Sequence, residues 1–107
     1  MSIELGKKLI EERNFKDAEI LFLELNKKKE NFDSNYNLGK IYFELKNIEK
    51  SKLFYKKCIS LNPNSINTYL NLAFMDQSTG DLEGALSNYF RFLEINNKII
   101  RAYYLYL

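Results

Sequence analysis

The chain has 107 residues, of which 46% are hydrophobic and 28% charged. This suffices for one compact domain or a short repeat array and excludes a disordered tail. Its 16 Lys and Arg and 14 Asp and Glu are well mixed, so neither a nucleic-acid-binding groove nor a membrane-surface patch is expected. The sequence has no His, and its single cysteine, Cys58, excludes an internal disulfide and a multi-thiolate zinc site. We therefore expect no catalytic activity, no cofactor and no metal ion.

The sequence also lacks signals for membrane insertion or export. No apolar run approaches the ~20 residues that span a bilayer. Charged residues interrupt the first ten positions, where a signal peptide would be apolar. A lone thiol fits a reducing compartment. These features predict a cytoplasmic protein without a membrane span.

Apolar residues recur at helical spacing along the whole chain, and no segment shows sustained strand-like alternation. In the middle of the chain Leu38, Tyr42 and Leu45 lie at i, i+4 and i+7 of one helix. Pro63 ends the next helix, because proline does not fit a helix interior. Gly80 and Asp81 predict a turn followed by a helix N-cap. We predict seven helices, near residues 2–12, 15–28, 34–45, 48–60, 66–78, 82–95 and 99–107.

The predicted helices fall into three similar units, because the same residue types recur at steps of 33 and 34 residues. Small residues in both helices of a unit should let the helices cross closely, and an aromatic residue should fill the space beside the crossing. The recurring slots are Leu5-Gly6, Leu38-Gly39 and Leu72-Ala73 in the first helix, and Ala18, Ser51 and Ala85 followed by Phe22, Tyr55 and Tyr89 in the second.

This pattern resembles the tetratricopeptide repeat, in which W-x2-L-G-x2-Y, A-x3-F and P recur with a period of ~34 residues. The middle unit carries most of it, with Leu38, Gly39, Tyr42, Tyr55 and Pro63. The resemblance implies an all-α fold, a right-handed α-solenoid of antiparallel helix pairs. It would form a single domain over residues 1–107, with repeats at 1–31, 32–65 and 66–99 and a partial fourth repeat or capping helix at 100–107.

Several positions depart from the family pattern, and three of them lead to structural expectations. Asn97 replaces the proline that should end the third repeat. Asp76 occupies the slot of Tyr42, and we expect a partly exposed carboxylate hydrogen-bonded to a tyrosine hydroxyl. Cys58 stands where the family prefers alanine, and we expect a buried structural thiol because no His or second Cys can activate it.

The resemblance further implies that partners bind in a concave groove lined by the first helix of each pair. The groove residues should project from the face opposite the Leu-Gly stripe. This face is amphipathic, so it could hydrogen-bond a peptide backbone and cover apolar side chains. The predicted groove residues are Ile3, Glu4, Lys7, Ile10 and Glu11 in the first unit, Asp33, Tyr36, Asn37, Lys40, Phe43 and Glu44 in the second, Asn67, Leu70, Asn71, Phe74 and Gln77 in the third, and Arg101, Tyr104 and Leu105 in the partial fourth.

Asn37 and Asn71 occupy equivalent slots, where some family members use an asparagine ladder to hold a peptide main chain. An amide suits this role because it both donates and accepts hydrogen bonds. The alternative is that both are ordinary polar residues on a solvated face. The carboxylate clamp of another family subset is not expected, because only Asn37 matches among its five positions.

The leading interpretation is a protein-interaction scaffold that binds a peptide or helix of a protein partner, without nucleic acid. One alternative is the amino-terminal targeting or substrate-recognition segment of a larger enzyme, such as a transferase. Another is self-association into a homo-oligomer. The apolar end, residues 103–107, lacks a covering helix and indicates either continuation of the array or burial by another subunit.

Overall fold

Six α-helices account for most of residues 2–105, the part of the chain that the computed structural model describes. They pack as sequential antiparallel pairs, which confirms the all-α prediction. The helices are α1 (Ile3–Glu11), α2 (Phe15–Lys28), α3 (Phe32–Glu44), α4 (Ile48–Leu61), α5 (Ile66–Thr79) and α6 (Leu82–Leu105).

The prediction of seven helices is wrong, because one helix occupies residues 82–105, where we expected two. At the end of α4 the chain reaches Pro63, whose ring cannot continue a helix. The equivalent position in the third unit is Asn97, which keeps its backbone N–H and continues the helical hydrogen bonding. Residues 106 and 107 of the predicted seventh helix lie outside the described part.

Polar side chains set the start of five helices, and Asp81 before α6 accepts from the backbone N–H of Gly84 at 2.9 Å. Asn14, Asn31 and Asn47 each accept a hydrogen bond from the backbone N–H three residues later, as N-cap residues do. Ser2 caps α1 in the same way, at 3.2 Å from the N–H of Leu5. The helix boundaries are therefore encoded locally, by a polar residue before each apolar stripe.

The turn inside each helix pair uses a left-handed residue at the same repeat position. Arg13, Lys46 and Gly80 have φ of 61°, 64° and 86°. Only Gly80 adopts this conformation without a side-chain penalty. The three turns therefore share one backbone conformation. The sequence reveals it only in the third unit, where the residue is a glycine.

The helix pairs cross where the sequence analysis placed small residues. A Cβ added to Gly6 would collide with the ring of Phe22, and one added to Gly39 would lie 2.7–2.9 Å from the ring of Tyr55. The Ser51 hydroxyl donates to the carbonyl of Gly39 at 2.6 Å, which fixes the crossing of α3 and α4. Close helix contact in the first two pairs therefore requires glycine.

The described chain divides into two compact units. The first ends at Pro63 and contains α1 to α4, where α2 packs on both α1 and α3 and α3 packs on α4. The second unit begins at Asn64 and consists of α5 packed on α6. The core of the first unit contains Ala18, Leu21, Phe22, Leu38, Ile41, Tyr42 and Phe54.

A polar network joins α2 to α3, and sequence reasoning missed it. Asn26 Nδ2 donates to Asn35 Oδ1 at 2.9 Å, although Asn35 is fully buried. Asn35 Nδ2 in turn donates to Glu30 at 3.2 Å. Burial and the Glu19 carboxylate raise the pKa of Tyr42 above its ordinary value. Consecutive repeats in this unit are thus held by specific polar contacts as well as by apolar packing.

Two of the departures from the family pattern have structural explanations. Cys58 is fully buried and its Sγ lies 3.7 Å from the carbonyl of Phe32, as a structural thiol should. Asp76 is buried rather than partly exposed, and its carboxylate accepts a hydrogen bond from the Asn88 amide at 2.9 Å. The expectation of partial exposure was therefore wrong.

Candidate peptide-binding site

A partly exposed stripe runs along α3, roughly opposite Leu38 and beside the crossing at Gly39. Tyr36, Lys40 and Phe43 lie at i, i+4 and i+7, so they share one side of the helix. Lys40 and Phe43 are exposed, with 45% of Phe43 accessible. We call Tyr36, Lys40 and Phe43 the α3 stripe.

Aromatic contacts fix the position of Tyr36 at the start of the α3 stripe. Its ring stacks on Phe32 with a centroid distance of 5.8 Å and meets the edge of Tyr55 at 5.5 Å. Tyr36 is consequently half-buried and well oriented. The stripe combines the packed ring of Tyr36, the exposed ammonium group of Lys40 and the exposed ring of Phe43 within two helical turns.

Helix α1 lies against α3 and contributes less to this surface than predicted. Lys7 is exposed, as a groove residue should be. Ile3 and Ile10, however, are half-buried and pack against the core cluster, so they contribute little exposed surface. Beside them Arg13 approaches Glu44 to 3.6 Å, linking the end of the first helix pair to α3.

Asn37 does not lie open on this face. Only 4% of the residue is accessible, and its Nδ2 donates to the carbonyl of Asp33 in the preceding turn at 2.8 Å. The expectation of an exposed amide ready for a peptide backbone is therefore wrong for this residue. A peptide would reach Asn37 only after its side chain left the Asp33 carbonyl.

The second unit presents an equivalent stripe on α5. Leu70, Phe74 and Gln77 repeat the i, i+4, i+7 spacing, and Phe74 is 55% accessible. We call these three residues the α5 stripe. Asn67 is exposed near the start of α5, whereas Leu70 and Asn71 are half-buried.

Tyr89 joins the α5 stripe, although the sequence placed it in the interior. Its ring meets Phe74 edge-on at 6.2 Å, and its hydroxyl donates to Gln77 Oε1 at 3.0 Å. The available signal was Ala73, which occupies the slot of Gly6 and Gly39. Its methyl group leaves less room at the crossing, and Tyr89 is only half-buried.

Tyr104 was predicted to line the groove as part of a fourth repeat. The structure places it near the end of α6, on the second helix of the third pair, where it contacts Tyr103 edge-on at 5.7 Å. It is 69% exposed. The predicted fourth repeat, which would begin with a separate helix containing Tyr104, is therefore wrong.

A shallow depression occurs on the opposite side of the first unit, between α2 and α4, floored by Ile20, Leu23 and Phe54. Lys57 spans it, with its ammonium 3.9 Å from Glu30 and 4.8 Å from the centre of the Phe54 ring. The protein's own side chains thus occupy the polar rim of this depression.

Helix pairs with close small-residue crossings and equivalent surface stripes define an all-helical repeat protein. Residues 32–65 match the tetratricopeptide repeat family, so α3 and α4 form a tetratricopeptide repeat. A repeat of this family implies a protein-interaction module. No curated protein matches the sequence. Five of the six helices described are too short to cross a membrane, and α6 is long enough but not sufficiently apolar.

Proposed function

We propose that this chain is a protein-interaction scaffold that binds an extended peptide or a helix of a partner along the exposed faces of its first helices. The contact residues would be Lys7, the α3 stripe, and the α5 stripe with Asn67. The regular 33- and 34-residue steps support continuation of the repeat stacking as a right-handed α-solenoid over a single domain.

The exposure of Phe43 and Phe74 carries this proposal. About half of the surface of each of these aromatic side chains faces water, although Phe74 also meets the Tyr89 ring. Aromatic residues of this kind are enriched among the residues that dominate protein-protein binding energies. They occupy predicted groove slots on the first helices of two successive repeats, and this favours a shared binding function.

The geometry of the α3 stripe restricts what could bind there. Tyr36 and Phe43 are seven residues apart, which separates their Cα atoms by about 10.5 Å along the helix. In an extended peptide of the polyproline II type, side chains three positions apart lie on one face and are separated by about 9 Å. We therefore favour a partner segment with two apolar side chains at this spacing and a hydrogen-bond acceptor between them for Lys40.

The test is selection of peptides from a displayed random library, followed by affinity measurements in solution by fluorescence anisotropy. Truncating a central aromatic contact costs about 1–2 kcal/mol, so Phe43→Ala and Phe74→Ala should each weaken binding about tenfold. The matched control is Leu53→Ala, which truncates a 51% exposed apolar residue on α4.

The proposal fails if the library yields no binder. It also fails if selected peptides bind the Phe43 and Phe74 variants as tightly as the original protein. Equal losses in the Leu53 control would point to non-specific apolar contact and contradict the proposal as well. Asn71→Ala, measured with the same peptides, tests the remaining exposed part of the predicted amide ladder.

A further inference from the structure

A second surface, on α6, has a different composition. Six large apolar side chains lie on one side of this helix and are each between 44% and 70% exposed. They lie within about 80° of one another on the helix surface. We call this set the α6 stripe, and it consists of Leu82, Leu86, Phe90, Leu93, Ile100 and Tyr104.

The first unit shows what this side of a second helix normally contacts. Leu86 and Leu93 are equivalent to Glu19 and Asn26 of α2, which face α3 through the Tyr42 hydroxyl and the Asn35 amide. On α6 the same two slots carry leucine and are open to water. The α6 stripe is therefore a helix-docking face in which apolar residues replace the polar network.

Head-to-tail stacking of α6 on α1 of another molecule fits poorly. The core-facing slots of Ile41 and Leu45 in α3 are occupied in α1 by Lys8 and Glu12. Docking this side of α1 on Leu86 and Leu93 would take both charges out of water, which costs several kcal/mol even when they pair with each other. An apolar surface of similar extent is a better match, and the α6 stripe of a second molecule supplies one.

We propose that the α6 stripe is a self-association surface on which two copies of the chain pair as antiparallel helices about a two-fold axis near residue 92. The exposed parts of the six side chains add up to about 700 Å² per copy, taking about 200 Å² for a large apolar side chain. Two copies would bury about 1,400 Å² in total, which lies within the range of stable, specific interfaces.

Charge complementarity selects the antiparallel arrangement and its register. Glu83 and Arg101 are exposed and 18 residues apart, which is five helical turns, so both lie along one edge of the α6 stripe. In an antiparallel pair this edge faces itself. With residue 92 on the axis, Glu83 of each copy lies opposite Arg101 of the other. In a parallel pair this edge would face the opposite edge of the stripe, so Glu83 and Arg101 would not meet, and the helix dipoles would be aligned.

Sedimentation equilibrium of the full chain tests the association. We expect a monomer–dimer equilibrium that Leu86→Glu and Leu93→Glu each abolish. Ile20→Glu, at a 60% exposed position of α2, should leave it unchanged. Glu83→Lys and Arg101→Glu should each weaken the dimer, and the double variant should recover most of the loss.

Cysteine cross-linking tests the geometry independently. With the axis at residue 92, two copies of residue 93 are about 3 Å apart along the helices, but two copies of residue 86 are about 18 Å apart. A disulfide needs Cα atoms within about 7 Å. Leu93→Cys should therefore cross-link under mild oxidation and Leu86→Cys should not. The original protein is the control, because its Cys58 is fully buried.

Several results would overturn the proposal. Sedimentation that shows only monomer at the highest workable concentration would refute it. Binding of a helix from another protein to α6 of such a monomer would also refute it. Growth into open-ended polymers would replace the two-fold pair with head-to-tail stacking. Efficient cross-linking through residue 86 would refute the antiparallel register. None of these results bears on peptide binding to the α3 and α5 stripes, so the two proposals fail separately.

Discussion

The buried pair Asp76 and Asn88 makes the third repeat different from the second, and this difference predicts how the two residues respond to substitution. In the second repeat the equivalent residues are Tyr42 and Phe54, whose rings stack at 5.4 Å. In the third repeat the Asn88 Nδ2 donates instead to Asp76 Oδ2 at 2.9 Å. An aromatic contact between the two helices of a pair has thus been exchanged for a hydrogen bond.

Asn88→Leu removes the amide donor and leaves the Asp76 carboxylate at 6% exposure beside an apolar side chain. A hydrogen bond to a charged group contributes about 1.5–3 kcal/mol, so we expect the free energy of unfolding to fall by about this amount. Adding Asp76→Leu to this variant removes the carboxylate that accepts the hydrogen bond from the Asn88 amide. The double variant should therefore be more stable than Asn88→Leu alone.

Urea unfolding followed by circular dichroism measures these free energies. Asn67→Leu is the matched control, because it makes the same change at an exposed position of α5, where surface substitutions alter stability by about 0.5 kcal/mol or less. If the effects of Asn88→Leu and Asp76→Leu simply add, the two side chains are not coupled and the reasoning is wrong.

Two further predictions concern packing and pH. Gly39→Ala should lower the free energy of unfolding by about 1–3 kcal/mol, because the new Cβ would lie 2.7–2.9 Å from the Tyr55 ring; a melting temperature that rises, as helix propensity alone would predict, contradicts this. Burial, with a smaller effect of the Asp33 charge, raises the pKa of Cys58 from 9.0 to about 12. The unfolded chain therefore loses this proton first as the pH rises, and stability should fall by about 1.4 kcal/mol between pH 8 and pH 10. In urea titrations, the free energy of unfolding of Cys58→Ala should not show this decrease of about 1.4 kcal/mol between pH 8 and pH 10. An equal decrease in that variant would contradict its assignment to the Cys58 thiol.

The helix pairs could be predicted from the sequence because their determinants are local. Caps such as Asn47, small residues such as Gly39 and the helix-ending Pro63 each act within a few residues. The length of α6 was mispredicted because a repeat boundary was assumed where Asn97 permits the helix to continue. Repeat period indicates where equivalent residues lie, but an actual break requires a residue that stops the helix.

The candidate site was predicted only in part. Spacing along a helix identified Lys40, Phe43 and Phe74 as residues opposite the packing face, and all three are exposed. Spacing did not reveal that Asn37 would use its amide on the preceding turn, because this depends on the side-chain rotamer. It also missed Tyr89, because the equivalent Phe22 and Tyr55 are buried, whereas Tyr89 is half-buried.

The two helix-docking faces of second helices differ in what fixes their register. Between α2 and α3, a shift by one turn would break the bond between Asn26 and the fully buried Asn35, leaving polar groups unpaired at a cost of about 1–3 kcal/mol each. On α6, leucine, isoleucine and aromatic side chains would still meet apolar partners after such a shift, so burial alone tolerates several alignments. The charges of Glu83 and Arg101 change partners with every shift. The apolar residues of the α6 stripe should therefore determine whether two copies associate, and this charge pair should determine which alignment they adopt.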